Sequence, residues 1–158
     1  SAGAGLEGSI AIHPGNRIPL IPRHLVKASA DYRLTPALSL GADMIAVSGA
    51  FARGNENNQH QADGSTYLGP GRSAGYALMN LGARYEMSRG LQLFGQINNL
   101  FDRQYASAAQ LGSTAFSAGG SVVTRPFGQV GGDYPQVGST FYAPGAPRTF
   151  WVGLRYSL

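Results

Sequence analysis

Two polar stretches of this 158-residue chain set arginines beside aromatic rings. Arg53, His60, Tyr67 and Arg72 lie in or at the edge of 54–74. Arg103, Arg125, Phe127, Asp133, Tyr134, Phe141 and Tyr142 lie in 102–146. A guanidinium presents a fork of charged donors and a ring presents a stacking face, so such residues can grip an anionic metal chelate by charge and stacking. The same side chains can instead pack and tether the loops, and a ligand site draws on few residues among many.

Other chemistries have little support. There is no cysteine, which removes disulfides, thiolate metal sites and thiol catalysis. His13, His24 and His60 lack metal-ligand spacing. Gly3, Gly5 and Gly8 match G-x-G-x-x-G by letter, but no strand precedes them and no helix follows, so a nucleotide site is rejected. No H-E-x-x-H appears, and no paired carboxylates in a plausible cleft. The expectation is a protein that is not an enzyme and holds no metal and no cofactor of its own.

The elements that position these residues read as strands. Side chains alternate faces along a strand. In Pro147–Leu158, Phe150, Val152, Leu154, Tyr156 and Leu158 share one oily face, and Thr149, Trp151, Gly153, Arg155 and Ser157 share the other. In 24–34, Val26, Ala28, Ala30, Tyr32 and Leu34 oppose Lys27, Ser29, Asp31 and Arg33. A strand over 37–53 sets Leu38, Leu40, Ala42, Met44 and Ala46 against Ser39, Gly41 and Asp43, with Ile45 and Val47 blurring the pattern. A third strand, 75–87, sets Ala77, Met79, Leu81, Ala83, Tyr85 and Met87 against Asn80, Gly82, Arg84 and Glu86. A fourth, 91–98, sets Leu91, Leu93, Gly95 and Ile97 against Gln92, Phe94, Gln96 and Asn98. Asn98 and Asn99 are suited to ending the strand pairing or bonding a neighbouring loop.

Short turns at 35–36 and 88–90 alternate with long loops at 54–74 and 102–146, the habit of bacterial outer-membrane barrels. The C-terminus then falls on the periplasmic side. Tyr32, Tyr85 and Tyr156 lie on oily faces near the short-turn end, the placement of an aromatic girdle at outer-membrane lipid. Lys27, Asp31, Arg33, Asp43, Arg84, Glu86 and Arg155 lie on the opposite faces. Buried in a dry core those charges are costly, whereas lining a wet lumen or facing a plug they are cheap.

No apolar run reaches the roughly 18 residues of a transmembrane helix. Glycine is abundant and Lys27 is the only lysine, a profile for strands and turns. The formal charge of +4 comes from scattered arginines rather than one basic patch, which argues against nucleic acid. The expected fold class is all-β, an antiparallel transmembrane β-barrel segment. Five strands do not close a membrane barrel, for which about eight are the minimum. The chain therefore reads as the last strands of a larger barrel, with 1–23 the tail of an extracellular loop and 16–23 the return into the membrane. It shows no signal peptide, so the start of the whole protein is expected elsewhere. A start within a surface loop fits a nicked or split barrel whose pieces stay joined by strand pairing.

Gly95–Tyr105, GQINNLFDRQY, carries a resemblance. Asn99-Leu100-Phe101-Asp102 resembles the N-L-F-D motif in the penultimate strand of TonB-dependent outer-membrane receptors. GNRIPLIPRH followed by ADYRL is similar to the same family, as is Ala143-Pro144-Gly145-Ala146-Pro147-Arg148 leading into FWVGLRYSL. Trp151-x-Gly153-x-x-Tyr156-x-Leu158 resembles the assembly signal that ends such barrels, although the family most often ends in phenylalanine. The resemblance covers 16–158. It implies a barrel of about 22 strands plugged by an N-terminal domain. It further implies import of a scarce nutrient, most often a ferric siderophore, with energy from the TonB complex. The implied partners are the rest of the barrel, its plug, outer-membrane lipid and a metal chelate. A passive porin or other outer-membrane barrel is the alternative; a secreted soluble β-domain binding glycans is the second.

Overall fold

The computed structural model describes residues 10–64, 67–116, 119–122 and 137–157. Among them there is no helix. The strands are β1 (Leu25–Arg33), β2 (Leu38–Val47), β3 (Ala50–Phe51), β4 (Tyr67–Leu68), β5 (Arg72–Ser73), β6 (Tyr76–Ser88), β7 (Leu91–Asn98), β8 (Ala106–Thr114), β9 (Val137–Pro144) and β10 (Thr149–Tyr156). The chain divides into two compact units. A sheet unit takes 24–48, 75–105 and 145–158, and a second unit takes 1–23, 49–74 and 106–144.

The sheet unit is one antiparallel sheet of five strands in the order β1-β2-β6-β7-β10. Register joins apolar residue to apolar residue at every step. Tyr32 faces Leu40, Ala30 faces Ala42 and Ala28 faces Met44. Leu40 then faces Ala83, Ala42 faces Leu81 and Met44 faces Met79. Leu81 faces Ile97 and Tyr85 faces Leu93; Ile97 faces Phe150, Gly95 faces Val152 and Leu93 faces Leu154. A slip of one residue would turn every one of these side chains to the other face, so the apolar alternation excludes odd slips and the short turns select among the rest.

The polar residues form matching rows on the other face. Ser29 faces Asp43, and Asp43 faces Asn80, whose Nδ2 donates to Asp43 Oδ2 at 2.5 Å. Glu86 faces Gln92, and Gln92 faces Arg155. Ile45 and Val47, which blur the sequence pattern, pair with Leu78 and Tyr76. They make a small apolar patch at one end of the polar face, where Tyr76 stacks on Tyr105 with ring centroids 4.4 Å apart.

No second layer within this unit covers either face among the described residues. The apolar face is therefore open: Phe150 is 82% exposed, Val152 71% and Tyr156 68%. An apolar surface of this extent marks contact with lipid or another apolar partner.

The turns are chemically explicit. Thr35 Oγ1 accepts from the amides of Ala37 and Leu38 at 3.2 and 3.0 Å, which closes β1 onto β2. Gly90 takes φ +78°, a left-handed conformation open to glycine at low cost, between β6 and β7. Its carbonyl accepts from Ser157 N at 2.7 Å, which extends the β7–β10 pairing beyond Tyr156.

The second unit differs from the expectation of plain loops. β3 pairs with β5, and β9 lies between β8, antiparallel, and β4, parallel. The strand expected over 37–53 breaks at Ser48–Gly49, where its last residues leave one sheet for the other. The core of the unit is small: Ala52, Ala109 and Leu111 are buried, with Ile10 packed on them.

Candidate functional site

Asn99 organises the N-L-F-D segment. It takes φ +51° and is 4% exposed. Its Oδ1 accepts from Arg103 N at 2.8 Å, and its Nδ2 donates to Arg103 O at 3.0 Å and Ala146 O at 3.1 Å. Its own amide donates to Asn80 Oδ1 at 2.9 Å. Asp102 Oδ1 accepts from Arg148 N at 3.0 Å. The segment thus ends β7 and fixes the backbone that leads into β10. Asn98 bonds side chains only: its Nδ2 is 3.3 Å from Thr149 Oγ1 and its Oδ1 accepts from Gln96 Nε2 at 2.6 Å.

In the second unit Gly71 is the corresponding junction. Its carbonyl accepts from Ala52 N and from Asn55 Nδ2, both at 2.9 Å, and its amide donates to Thr140 Oγ1 at 2.9 Å. It takes φ +64°, and a Cβ there would meet His60 Cδ2 at 2.5 Å. Asn55 is fully buried, and its Oδ1 accepts from His60 N at 3.1 Å. Through Gly71 and Thr140, and through β4 pairing with β9, the 54–74 segment is joined to the 106–144 segment as one body.

This geometry sorts the candidate residues. His60 lies inside the unit at 8% exposure, edge-on to Tyr67 with centroids 5.4 Å apart. Its Nε2 is 3.3 Å from Gly69 O, while Nδ1 is buried without a hydrogen-bond partner. Arg53 and Arg72 are exposed in the same unit. Tyr142 is exposed, and partial burial pushes its hydroxyl above the usual tyrosine pKa. Arg103 belongs to the sheet unit, its backbone held by Asn99. Arg125, Phe127, Asp133 and Tyr134, like Leu158 and the Gly3–Gly8 stretch, lie outside the described residues.

On the polar face of the sheet, Asp31, Arg84, Gln92, Gln96, Trp151 and Arg155 line an open groove. Gln92 Nε2 donates to Glu86 Oε1 at 2.5 Å. Among the described residues no ion pair joins Lys27, Asp31, Arg33, Asp43, Arg84, Glu86 or Arg155 to one another. Phe94 lies over Gly153, where a Cβ would meet the ring at 2.6 Å, and is edge-on to Trp151 at 5.4 Å.

Reasoning from sequence passed over Asn55, Thr140, Gln110 and Arg17. Arg17 sits with its guanidinium 5.0 Å from the Phe51 ring centroid and donates through Nη2 to Gly49 O at 3.2 Å. Gly69-Pro70-Gly71 was the available signal for a tight junction. Nothing in a polar run marks which of its asparagines and threonines become buried.

Comparison with known proteins bears on both units. A family model described as TonB dependent receptor-like, beta-barrel, matches residues 4–100. Among solved structures, the ferric-catecholate import receptor Fiu from E. coli K12, in its closed form, is 22% identical with a TM-score of 0.55. That match covers 87% of this chain and 14% of the receptor. The ferric yersiniabactin uptake receptor FyuA from Yersinia pestis is 17% identical with a TM-score of 0.57, covering 90% of this chain and 17% of that one. The copper transporter OprC is 21% identical with a TM-score of 0.51, covering 90% and 18%. The likeness to these structures is one of fold, and the chain spans less than a fifth of their length. The family model covers more than half of the chain, and with an all-β antiparallel structure built in the same way, the chain belongs to the TonB-dependent receptor-like β-barrel family.

Proposed function

We propose that this chain is the C-terminal part of the barrel of an outer-membrane receptor that imports an anionic metal chelate, with a ferric siderophore as the foremost class. The observation that carries the reading is the two-faced sheet: unbroken apolar rows on one side, rows of charged and amide side chains on the other. Lipid suits the first face and a wet, plugged lumen suits the second. Membership of the family supports the same assignment, and neighbours such as the ferric-catecholate and ferric-yersiniabactin receptors support the ligand class.

In this reading 1–23, 54–74 and 102–146 are outer segments, the C-terminus is periplasmic, and Tyr32, Tyr85 and Tyr156 meet the inner-side headgroups. Lys27, Asp31, Arg33, Asp43, Arg84, Glu86 and Arg155 face the lumen and the plug. Ligand contacts come from the outer segments, with Arg53, Arg72, Arg103 and Tyr142 as their cationic and aromatic members. Energy comes from the TonB complex through the N-terminal part of the whole receptor.

The test is uptake of radioactive iron by cells that carry the full-length gene, its deletion, or the gene in a strain without TonB. Uptake of at least one ferric chelate is expected to need both the gene and TonB. Equal uptake in all three strains, or the protein in the soluble fraction, contradicts the proposal.

A further inference from the structure

The second unit places three side chains in one row that crosses the 49–74 and 106–144 segments. Arg53 makes a parallel bridge to Gln110. Its amide donates to Ala109 O at 2.9 Å, and its carbonyl accepts from Leu111 N at 2.8 Å. Gln110 in turn pairs with Phe141 in the β8–β9 ladder. Residues opposite one another in adjacent strands point to the same side of a sheet, with Cβ atoms about 5 Å apart. All three are exposed, while their chain neighbours Ala52, Ala109, Leu111 and Thr140 are buried. The row therefore stands on the open side of the unit.

Its parts are held in advance. Arg53 has its backbone bonded on both sides by β8, so the position and direction from which its side chain departs are fixed before binding. Phe141 leans over Gly112 in van der Waals contact: a Cβ there would lie 3.4 Å from the ring. The ring is thereby laid along the strand, and Phe141 stays 47% exposed. A fork of cationic donors, an amide and a supported aromatic face thus succeed one another across neighbouring strands.

We propose that Arg53, Gln110 and Phe141 form a contact row for an anionic chelate with aromatic donor groups. Arg53 pairs with the negative charge, Gln110 hydrogen-bonds a ligand oxygen, and Phe141 stacks on an aromatic ring of the ligand. The inference rests on the importer reading and narrows its ligand from anionic metal chelates in general to those with aromatic donor groups. A neutral chelate without aromatic rings offers Arg53 no net negative charge and Phe141 no ring to stack on.

The test uses the full-length receptor in detergent. Two probes are compared: the ferric complex of 2,3-dihydroxybenzoate, anionic and aromatic, and ferrichrome, a neutral ferric trihydroxamate. Binding is followed by equilibrium dialysis of radioactive iron. The wild type is expected to prefer the first probe. Arg53→Ala weakens that binding by about tenfold or more, and Gln110→Ala and Phe141→Ala by about three- to tenfold. Arg53→Lys recovers part of the loss, because the charge returns without the fork. Gln61→Ala, at an exposed position away from the row, stays within about twofold. Row variants that fold and bind like the wild type overturn the row and leave the importer reading standing. A wild type that binds ferrichrome as well or better, or binds neither probe, overturns the ligand class. The uptake experiment in cells judges the importer reading separately.

Discussion

Tyr85 and Tyr156 stand two strands and two register positions apart: Tyr85 pairs with Leu93, Leu93 pairs with Leu154, and Tyr156 follows two residues on. Tyr32 and Tyr85 repeat the relationship, since Tyr32 pairs with Leu40, Leu40 with Ala83, and Tyr85 is two residues beyond. The ring positions thus step by one residue per strand in a constant direction. One residue is about 3.3 Å along a strand and neighbouring strands are about 4.8 Å apart, so a line through the three rings crosses the strands at the slant of a tilt near 35°. That slant lies at the lower end of the tilt of membrane barrels, about 35–45°. In a barrel tilted in that sense the three rings come to one height.

A depth measurement follows. Each tyrosine is replaced in turn by tryptophan in the full-length receptor, and its quenching by lipids brominated at graded depths is recorded. The three positions are expected to give the same depth. With strands upright, Tyr32 and Tyr156 would differ by about 13 Å, and a difference of that size would sink the girdle.

Asn99 carries a sharp stability prediction. Asn99→Ala leaves Arg103 N, Arg103 O and Ala146 O without their partner and puts alanine at a left-handed φ. A cost of about 3 kcal/mol is expected. Asn98→Ala loses a long bond to Thr149 and a side-chain bond from Gln96, leaves no backbone group unpaired, and is expected to cost about 1 kcal/mol. Urea unfolding of the two variants in detergent measures the gap; equal midpoints would remove Asn99 from its role as the junction before β10.

Gly71 and Thr140 predict a loss of order shared by two distant segments. Gly71→Ala drives a Cβ into His60, and Thr140→Val leaves Gly71 N without its acceptor, each at a cost of about 1–3 kcal/mol. Hydrogen exchange is expected to rise in 50–73 and in 106–114 together, with β1, β2 and β6 unchanged. A rise confined to one segment would show that the two segments open separately.

The two faces of β10 predict opposite tolerance to charge. Val152→Arg puts a cation among the apolar rows, at a cost of about 2–4 kcal/mol near the middle of the bilayer. Arg155→Gln removes a charge from the polar face, where no ion pair holds it among the described residues, and stays within about 0.5 kcal/mol. Folding titrations into lipid vesicles compare them, and equal costs would contradict the assignment of faces.

The sheet was legible in the sequence because its order follows from one period. Alternation gave the strands and their faces, and Thr35-Pro36 and Ser88-Arg89-Gly90 gave the tight turns, while pairing of the apolar faces excluded only odd slips in register. The second unit was less legible. Its strand Ala106–Thr114, ASAAQLGST, is small and weakly polar throughout, so alternation carries little contrast, and its buried members include Ala109 as well as Leu111. Beside its small apolar core the unit buries Asn55, His60 and Thr140, residue types that a hydropathy reading assigns to solvent. The row of Arg53, Gln110 and Phe141 depends on pairing between segments far apart in the chain, which no local pattern encodes.

The most direct test of the central claim is a spin-label scan through 150–155 of the full-length receptor in lipid vesicles. Each position is replaced by cysteine, labelled, and its collisions with oxygen, which concentrates in lipid, are compared with those of a water-soluble nickel chelate. The account predicts high oxygen access at positions 150, 152 and 154 and low oxygen access at 151, 153 and 155. A flat profile, or one with the two sets exchanged, would contradict it.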